Sequence, residues 1–235
     1  MFNFSDAHCH IYEPQSETSG IAHRIINAVT ESDWENLIKI QSDSVFVCLG
    51  IHPWHINTAR KSWDKNLYNI LKQNPKIMIG ETGLDASKPN IGPQEEFFIR
   101  HLEIAHNLKR AIHIHCVKAW DRLLHILKNN RKNLPPAILI HGFSGTPEII
   151  HELATKYNVY FSYSAPQTNP NITRHRNRIL ATPRTKILLE SDANTIQTAT
   201  TKLTTACENI AKILDISPNE VINITNTNFQ KVISQ

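Results

Sequence analysis

The chain has 235 residues, of which 40% are hydrophobic and 20% charged, and its formal net charge is +4 at pH 7. That length supports one large core or two small ones, and that balance excludes a disordered or fibrous chain. The mild positive charge permits an anionic substrate without demanding one, and no apolar run is long enough to cross a bilayer.

Short apolar runs alternate with longer amphipathic segments. The first strand is predicted from Phe2 to Ala7 and runs directly into His8-Cys9-His10. A second follows at Ile25–Val29. Ser32 is the expected N-cap of the next helix, with Glu35 three residues on as in a capping box. Val45–Gly50 is a continuous apolar run of the kind buried on both faces. A helix is expected from about Ser62 and a fourth strand at Ile77–Glu81. The following helix begins near Pro93, then comes a fifth strand at Ala111–His115 and a helix carrying Trp120, Leu123 and Leu127. Ala137–His141, Asn158–Tyr163 and Lys186–Glu190 are the last three strands. Pro147 opens a helix where a missing N–H costs nothing, and two helical segments close the chain, the last after Ser217-Pro218.

Eight strand-and-helix units with no linker predict one domain over residues 1–235, a slightly compact (β/α)8 barrel, the fold that takes roughly 250 residues. The competitor, a doubly wound open sheet, lacks support from any G-x-G-x-x-G or P-loop pattern.

The polar residues concentrate at the predicted strand ends. His8 and His10 lie two apart, so in a strand both imidazoles leave one face and Cys9 the other. Glu81, His115, His141 and Asp192 fall at the ends of strands four, five, six and eight. In a barrel these ends converge on one mouth, where unpaired imidazoles and carboxylates are costly unless they bind a metal. A single buried histidine is more often a hydrogen-bonded core residue, and that reading is kept for His113. Glu190 is expected one layer below Asp192 or facing away. His101, His106, His125 and His151 fall in helical segments as surface or packing residues. Cys9, Cys48, Cys116 and Cys207 form no C-x-x-C pair and read as buried thiols of a reducing compartment. With no signal peptide before the first motif, the expected location is the cytoplasm.

The ordered motif set resembles the TatD-related metal-dependent deoxyribonucleases of the amidohydrolase-like superfamily. Asp6-Ala7-His8-Cys9-His10 is similar to the D-x-H-x-H opening, Gly50-Ile51-His52-Pro53 to G-x-H-P, and Gly80-Glu81-Thr82-Gly83-Leu84-Asp85 to G-E-x-G-L-D. Gln94 through Phe98 resembles the Q-x-x-x-F helix start, His141-Gly142-Phe143-Ser144-Gly145 the H-C-F-S-G motif, and Glu190-Ser191-Asp192-Ala193 the E-S-D-A-P motif. The chain departs from the pattern at Val117, Gly142 and Asn194, and the terminal Asn/Arg motif is only partly matched by Asn226-Thr227-Asn228-Phe229.

The resemblance implies two divalent ions, magnesium, manganese or zinc. His8, His10 and Asp192 would hold one, His115 and His141 the other, and Glu81 would bridge them. A water acidified by metal would be the nucleophile, with Asp192 also accepting its proton. His52 is assigned to substrate phosphate or to support of the ligands. Lys118, Ser144 and Arg174 are candidate contacts to substrate. Arg176, Arg178 and Lys88 are further cations around the mouth, and Trp54, Trp120 and Tyr163 either stack on bases or pack. The implied activity is phosphodiester hydrolysis, a deoxyribonuclease of exonuclease-like type acting on DNA or another phosphodiester, with no obligate protein partner evident. A hydrolase of a small ester, lactone or cyclic amide on the same centre, or a non-catalytic barrel, are the alternatives.

Overall fold

Every apolar run becomes a strand, and all eight strands pair in parallel in sequence order. The computed structural model describes residues 3–13 and 20–235. The strands are β1 (Phe4–Cys9), β2 (Ile21–Asn27), β3 (Val45–Leu49), β4 (Met78–Asp85), β5 (Ile112–Val117), β6 (Ile138–Ile140), β7 (Val159–Tyr163) and β8 (Ile187–Leu189). The helices are α1 (Glu31–Ile40), α2 (Trp63–Gln73), α3 (Ile91–Leu108), α4 (Trp120–Asn129), α5 (Pro147–Lys156), α6 (Thr173–Ala181), α7 (Ile196–Leu214) and α8 (Pro218–Ile233). The result is the nearly closed (β/α)8 barrel expected from the alternation. The repeat is not uniform: β2 follows β1 with no helix between them among the described residues, and two helices follow β8, as the sequence reading expects.

Two register shifts matter for the site. On β1, Asp6 pairs with Arg24 and Cys9 with Ile26, so three steps on β1 meet two on β2. On β4, Ile79 pairs with Ile112 and Thr82 with Ile114, again three against two. Such bulges re-aim side chains next to active sites. They lie at the D-x-H-x-H and G-E-x-G segments.

The barrel interior is filled by Ala7, Ile25, Cys48, Met78, Leu139, Tyr160 and Leu188, with Phe229 and Val232 of α8 closing its floor. Asn226 accepts from the Ser5 N–H at 2.9 Å and donates to the Asn3 carbonyl, while Asn228 donates to the carbonyls of Arg184 and Ile187. Helix α8 thereby ties the start of β1 to the start of β8. At the opposite end the seam between the same strands is closed by backbone bonds, Asp192 N–H to the His8 carbonyl at 3.0 Å and His10 N–H to the Ala193 carbonyl at 2.8 Å.

Several boundaries differ from the sequence expectation. The first predicted strand begins at Phe2, which lies outside the described residues, and β1 continues through His8 and Cys9. Strand β2 starts at Ile21, earlier than the apolar run suggests, because it takes in His23 and a buried Arg24. Helix α1 is capped at Thr30, not Ser32: the Asp33 carboxylate accepts from the N–H groups of Thr30 (2.7 Å) and Val29 (2.9 Å). Strand β4 runs past Glu81 to Asp85, because Thr82 through Asp85 pair with Ile114 through Val117.

Candidate metal centre

Glu81 is the geometric centre of the mouth. Its fully buried carboxylate turns one oxygen to each of two histidine groups. Oε2 lies 3.4 Å from His8 Nε2 and 3.5 Å from His10 Nε2. Oε1 lies 2.8 Å from His141 Nε2, 3.0 Å from His115 Nδ1 and 3.3 Å from His52 Nε2. Burial pushes this carboxyl up, yet the positive charge of His141, the neighbouring His8 ring and hydrogen bonds from His115 and His141 hold it well below the usual carboxylate range. It is therefore an anion inside the barrel, which only cations or strong donors make tolerable.

The backbone that presents Glu81 depends on its glycines. Gly80 has φ +143°, and a Cβ there would stand 2.7 Å from His113 Cβ. Gly83 has φ +141°, and its Cβ would stand 2.0 Å from the His115 carbonyl oxygen. Both positions are closed to any other residue by conformation and by contact.

His8 and His10 leave the end of β1 beside this carboxylate. His10 Nδ1 lies 3.0 Å from the Asn27 carbonyl, which places a hydrogen on Nδ1 and turns Nε2 toward Glu81 and Asp192 Oδ1, the latter at 3.7 Å. His8 is fully buried and neither ring nitrogen has a hydrogen bond among the described residues. Its pKa falls to about 4, first through burial and then through His141, so the ring is neutral. It stacks nearly parallel on His141, with ring centroids 3.9 Å apart. Asp192 is half-exposed in the left-handed conformation, φ 46°, which turns its carboxylate back over the mouth; its carbonyl accepts from Lys202 at 2.9 Å.

On the other side, His115 Nδ1 and His141 Nε2 are 3.1 Å apart and share Glu81 Oε1. His115 Nε2 faces Asp85 Oδ2 at 3.5 Å, and His141 Nδ1 faces Glu190 at 3.9 Å. Each imidazole thus has a carboxylate behind it, the support that metal-ligating histidines usually carry. Glu190 lies inward and below, not facing away: it accepts from Ser162 Oγ and from the Gly142 N–H, and burial raises its pKa to about 7. His113 lies beneath His8, fully buried, kept neutral by burial and by His8 and His141.

His52 differs from the other imidazoles. Its Nδ1 accepts from the Trp54 N–H at 3.2 Å. Burial lowers its pKa, and the neutral ring must then carry its hydrogen on Nε2, as a donor toward Glu81.

Two clusters of donor atoms, each within 4.8 Å of one another, could hold a metal ion: His8, His10 and Glu81, and His52, Glu81 and His115. The neutral His8 imidazole, with no hydrogen bond and a buried carboxylate beside it, is suited to a divalent transition metal, and with His10, His115 and Glu81 the donor set fits such a group.

The remaining sequence candidates separate by position. Ser144 and Arg174 line one cavity of about 570 Å³ between the β6–α5 and β7–α6 loops, together with Gln167 and His175. Lys118 is exposed with φ 52° on the loop after β5, away from that cavity. Arg178 is buried and donates to the carbonyls of Gly145 and Ser144 at 3.0 and 2.9 Å, so it builds the cavity wall while Arg174 and Arg176 face outward. Tyr163 is buried with its hydroxyl on Thr182, and Trp120 packs on Phe143. Both are packing residues.

Sequence reasoning placed Asp6, Asp85 and Gln94 in motifs without assigning them a role, and His101, expected as a surface or packing residue, is fully buried. Asp6 is fully buried and accepts from the Ser191 N–H and Oγ–H. Gln94 holds the β4–α3 loop by accepting from the Asp85 N–H at 2.7 Å and donating to the Pro89 carbonyl. The signal for Asp6 was present: a carboxylate within an apolar strand has to be satisfied by something.

A family model described as TatD related DNase matches residues 5–234. The chain belongs to the TatD-related DNase family. It is 32% identical over 171 residues to the 3'-5' RNA nuclease TATDN2 of Homo sapiens, a match covering 70% of this chain but only 22% of that relative's length. It is 26% identical over 166 residues to the 3'-5' ssDNA/RNA exonuclease TatD of Escherichia coli, covering 69% of this chain and 63% of the relative. The crystal structure of YJJV, a TatD homologue from Escherichia coli K12, superposes with a TM-score of 0.84 over 99% of this chain and 98% of that one, at 20% identity. This TatD-related barrel shares its overall path with that structure.

Proposed function

We propose that this chain is a divalent-metal-dependent nuclease that hydrolyses phosphodiester bonds in DNA, or in RNA, by an exonuclease-like action. The observation that carries the reading is the split of the Glu81 carboxylate, with one oxygen facing His8 and His10 and the other facing His115 and His141. That split supports two ions, His8, His10 and Asp192 around one and His115 and His141 around the other, with Glu81 shared. Two of the relatives that match are a nuclease of RNA and an exonuclease of single-stranded DNA and RNA.

A pair of divalent ions supplies Lewis acidity toward phosphate oxygens and lowers the pKa of bound water. The protein's own groups do the rest. Glu81 stays anionic and keeps both histidine groups in register. Asp192, half-exposed at the rim, is the carboxylate placed to accept a proton from an entering water. His52, with its hydrogen on Nε2, is a donor for a phosphate oxygen. Arg174 and Ser144 in their cavity, and Lys118 on the rim, are the further groups assigned to substrate. Magnesium or manganese suits the carboxylates, and zinc the imidazoles. Four buried free cysteines support a reducing compartment, and we assign the chain to the cytoplasm. No described helix is long and apolar enough to cross a membrane.

The test joins metal analysis to a nuclease assay on single-stranded oligonucleotides. The expected result is about two ions per chain at saturation and loss of turnover in Asp192→Asn. Turnover at the wild-type rate in a fully loaded Asp192→Asn protein would refute the assigned proton acceptor.

A further inference from the structure

We propose that Trp54 and Lys88 form a nucleobase-stacking subsite beside the metal centre, an inference that rests on the nuclease reading above. Trp54 is 52% exposed, unusual for the largest apolar side chain, and it stands on the short 3-10 helix Pro53–Thr58 directly after His52. Tyr163 and Trp120 are used in packing, so Trp54 is the ring of the three sequence candidates that is open to a ligand.

The indole is held in place before any ligand arrives. Its Nε1–H donates to Asp85 Oδ2 at 2.7 Å, and Asp85 accepts in turn from Ser87 Oγ at 2.5 Å and the Ser87 N–H at 2.9 Å. The backbone around Asp85 is clamped by Gln94. A rigid aromatic face loses little entropy when a base settles on it. The Lys88 ammonium sits 4.5 Å from the ring centroid on a flexible, exposed side chain. Its cation–π contact is weak at such an exposed place. A base displaces it, and the freed ammonium meets the nucleotide's phosphate.

The same loops enclose a cleft of about 180 Å³, bounded by Trp54, Ile56 and Asn57 on one side and Lys88, Pro89 and Asn90 on the other. The two asparagines offer amide donors and acceptors for a base edge, and the apolar walls suit its faces. The ring is also close to the chemistry: its centroid is 5.0 Å from that of His52 and 6.2 Å from that of His115. A base stacked here leaves its sugar and phosphate beside His52 and His115, the imidazoles that face Glu81 Oε1. Stacking is tolerant of sequence because every base has a π-face, so the subsite reads the presence of a base and not its identity.

The experiment uses the manganese-loaded full chain and a set of short single-stranded oligonucleotides, each abasic at a different position. In the wild type, base removal at one position relative to the cleaved bond slows kcat/KM by roughly 10-fold or more, the range of base–aromatic stacking. Trp54→Ala flattens that positional profile. Trp54→Phe, which keeps a ring but loses the bond to Asp85, retains most of it. A wild type that cleaves equally well whichever base is removed overturns the subsite without recourse to any variant. So does a Trp54→Ala protein that keeps the wild-type profile, or a Trp54→Phe protein as flat as Trp54→Ala. A loaded wild type that cleaves none of the oligonucleotides overturns the nuclease reading, and the subsite with it.

Discussion

The Asp6 carboxylate accepts both from the backbone N–H of Ser191, at 2.9 Å, and from its hydroxyl, at 2.5 Å, across 185 residues of chain. This contact joins the strand that carries His8 and His10 to the segment that carries Asp192. It is fully buried, and Asp6 also accepts from the His8 N–H at 3.3 Å.

Asp6→Ala leaves these donors unmatched in an apolar seam. The expected cost is about 3 kcal/mol, a fall in Tm of about 6–12 °C for a chain of this size. Ser191→Ala alone should cost about 1–2 kcal/mol. In the double variant the two losses are expected to fall short of additivity by about 1 kcal/mol, measurable by urea unfolding. Additive losses would show that the seam does not depend on this pair.

Glu81→Gln should weaken both metal-binding events, because the two oxygens serve different histidine groups. His10→Ala should weaken only one. Calorimetric titration with manganese reads the difference, and for Glu81→Gln each affinity should fall by at least roughly 100-fold, the loss that removal of a mere supporting partner reaches. A Glu81→Gln protein with one site unaffected would contradict the shared-carboxylate arrangement.

His101 sets a pH dependence of stability that is separate from the metal ligands. Its Nδ1 bonds the Phe97 carbonyl at 2.7 Å, so its Nε2 is the acceptor for the Ile51 N–H at 3.2 Å. A proton on Nε2 would destroy that bond. Burial lowers the folded-state pKa from 6.5 to about 4. A histidine with a depressed pKa gives stability that is fully present above the unfolded value and is lost as pH falls toward the folded one. The loss attributable to His101 between pH 6.5 and 4 is about 3 kcal/mol. Denaturation of the metal-free wild type and of His101→Gln over that window should show a gap that narrows as pH falls. A gap independent of pH would exclude this role.

Gly83→Ala places a methyl 2.0 Å from the His115 carbonyl oxygen, in a backbone conformation that alanine resists. The strands β4 and β5 would have to separate beside Glu81 and His115. The variant is expected to lose more than about 3 kcal/mol. Circular dichroism melting would show it, and a Tm within about 3 °C of wild type would mean that β4 shifts without strain.

Much of this architecture was legible because parallel strands buried on both faces read as unbroken apolar runs, as Val45–Leu49 and Ile138–Ile140 do. Where a strand carries polar residues the signal fails. His23 and Arg24 hid the start of β2, and Gly83 and Asp85 hid the continuation of β4, although both segments are paired. The histidines and carboxylates facing the mouth were legible from alternation and order along the chain. The sharing of Glu81 between two histidine groups was implied by the resemblance alone, since the bulge beside it is something no spacing rule reveals. The long-range bonds of Asp6 to Ser191 and of His101 to the Ile51 N–H, whose partners lie far away in sequence, were not legible, nor were the loop bonds of Gln94, which depend on the path of the chain after β4. Arg178 misled in the opposite sense, since a row of arginines on a helix gives no hint that one of them is turned inward to hold carbonyls.

The seam between β1 and β8 has a consequence for synthesis. His8 and His10 emerge from the ribosome long before Asp192, and the bonds that fix their segment, Ser191 to Asp6, Asp192 to His8 and His10 to Ala193, involve the segment just after β8. A nascent chain that has not yet delivered that segment lacks both Asp192, the third of the proposed ligands, and the closure of the barrel. A protein proposed to cut nucleic acid therefore withholds its complete site from the messenger that encodes it until translation has passed the eighth strand.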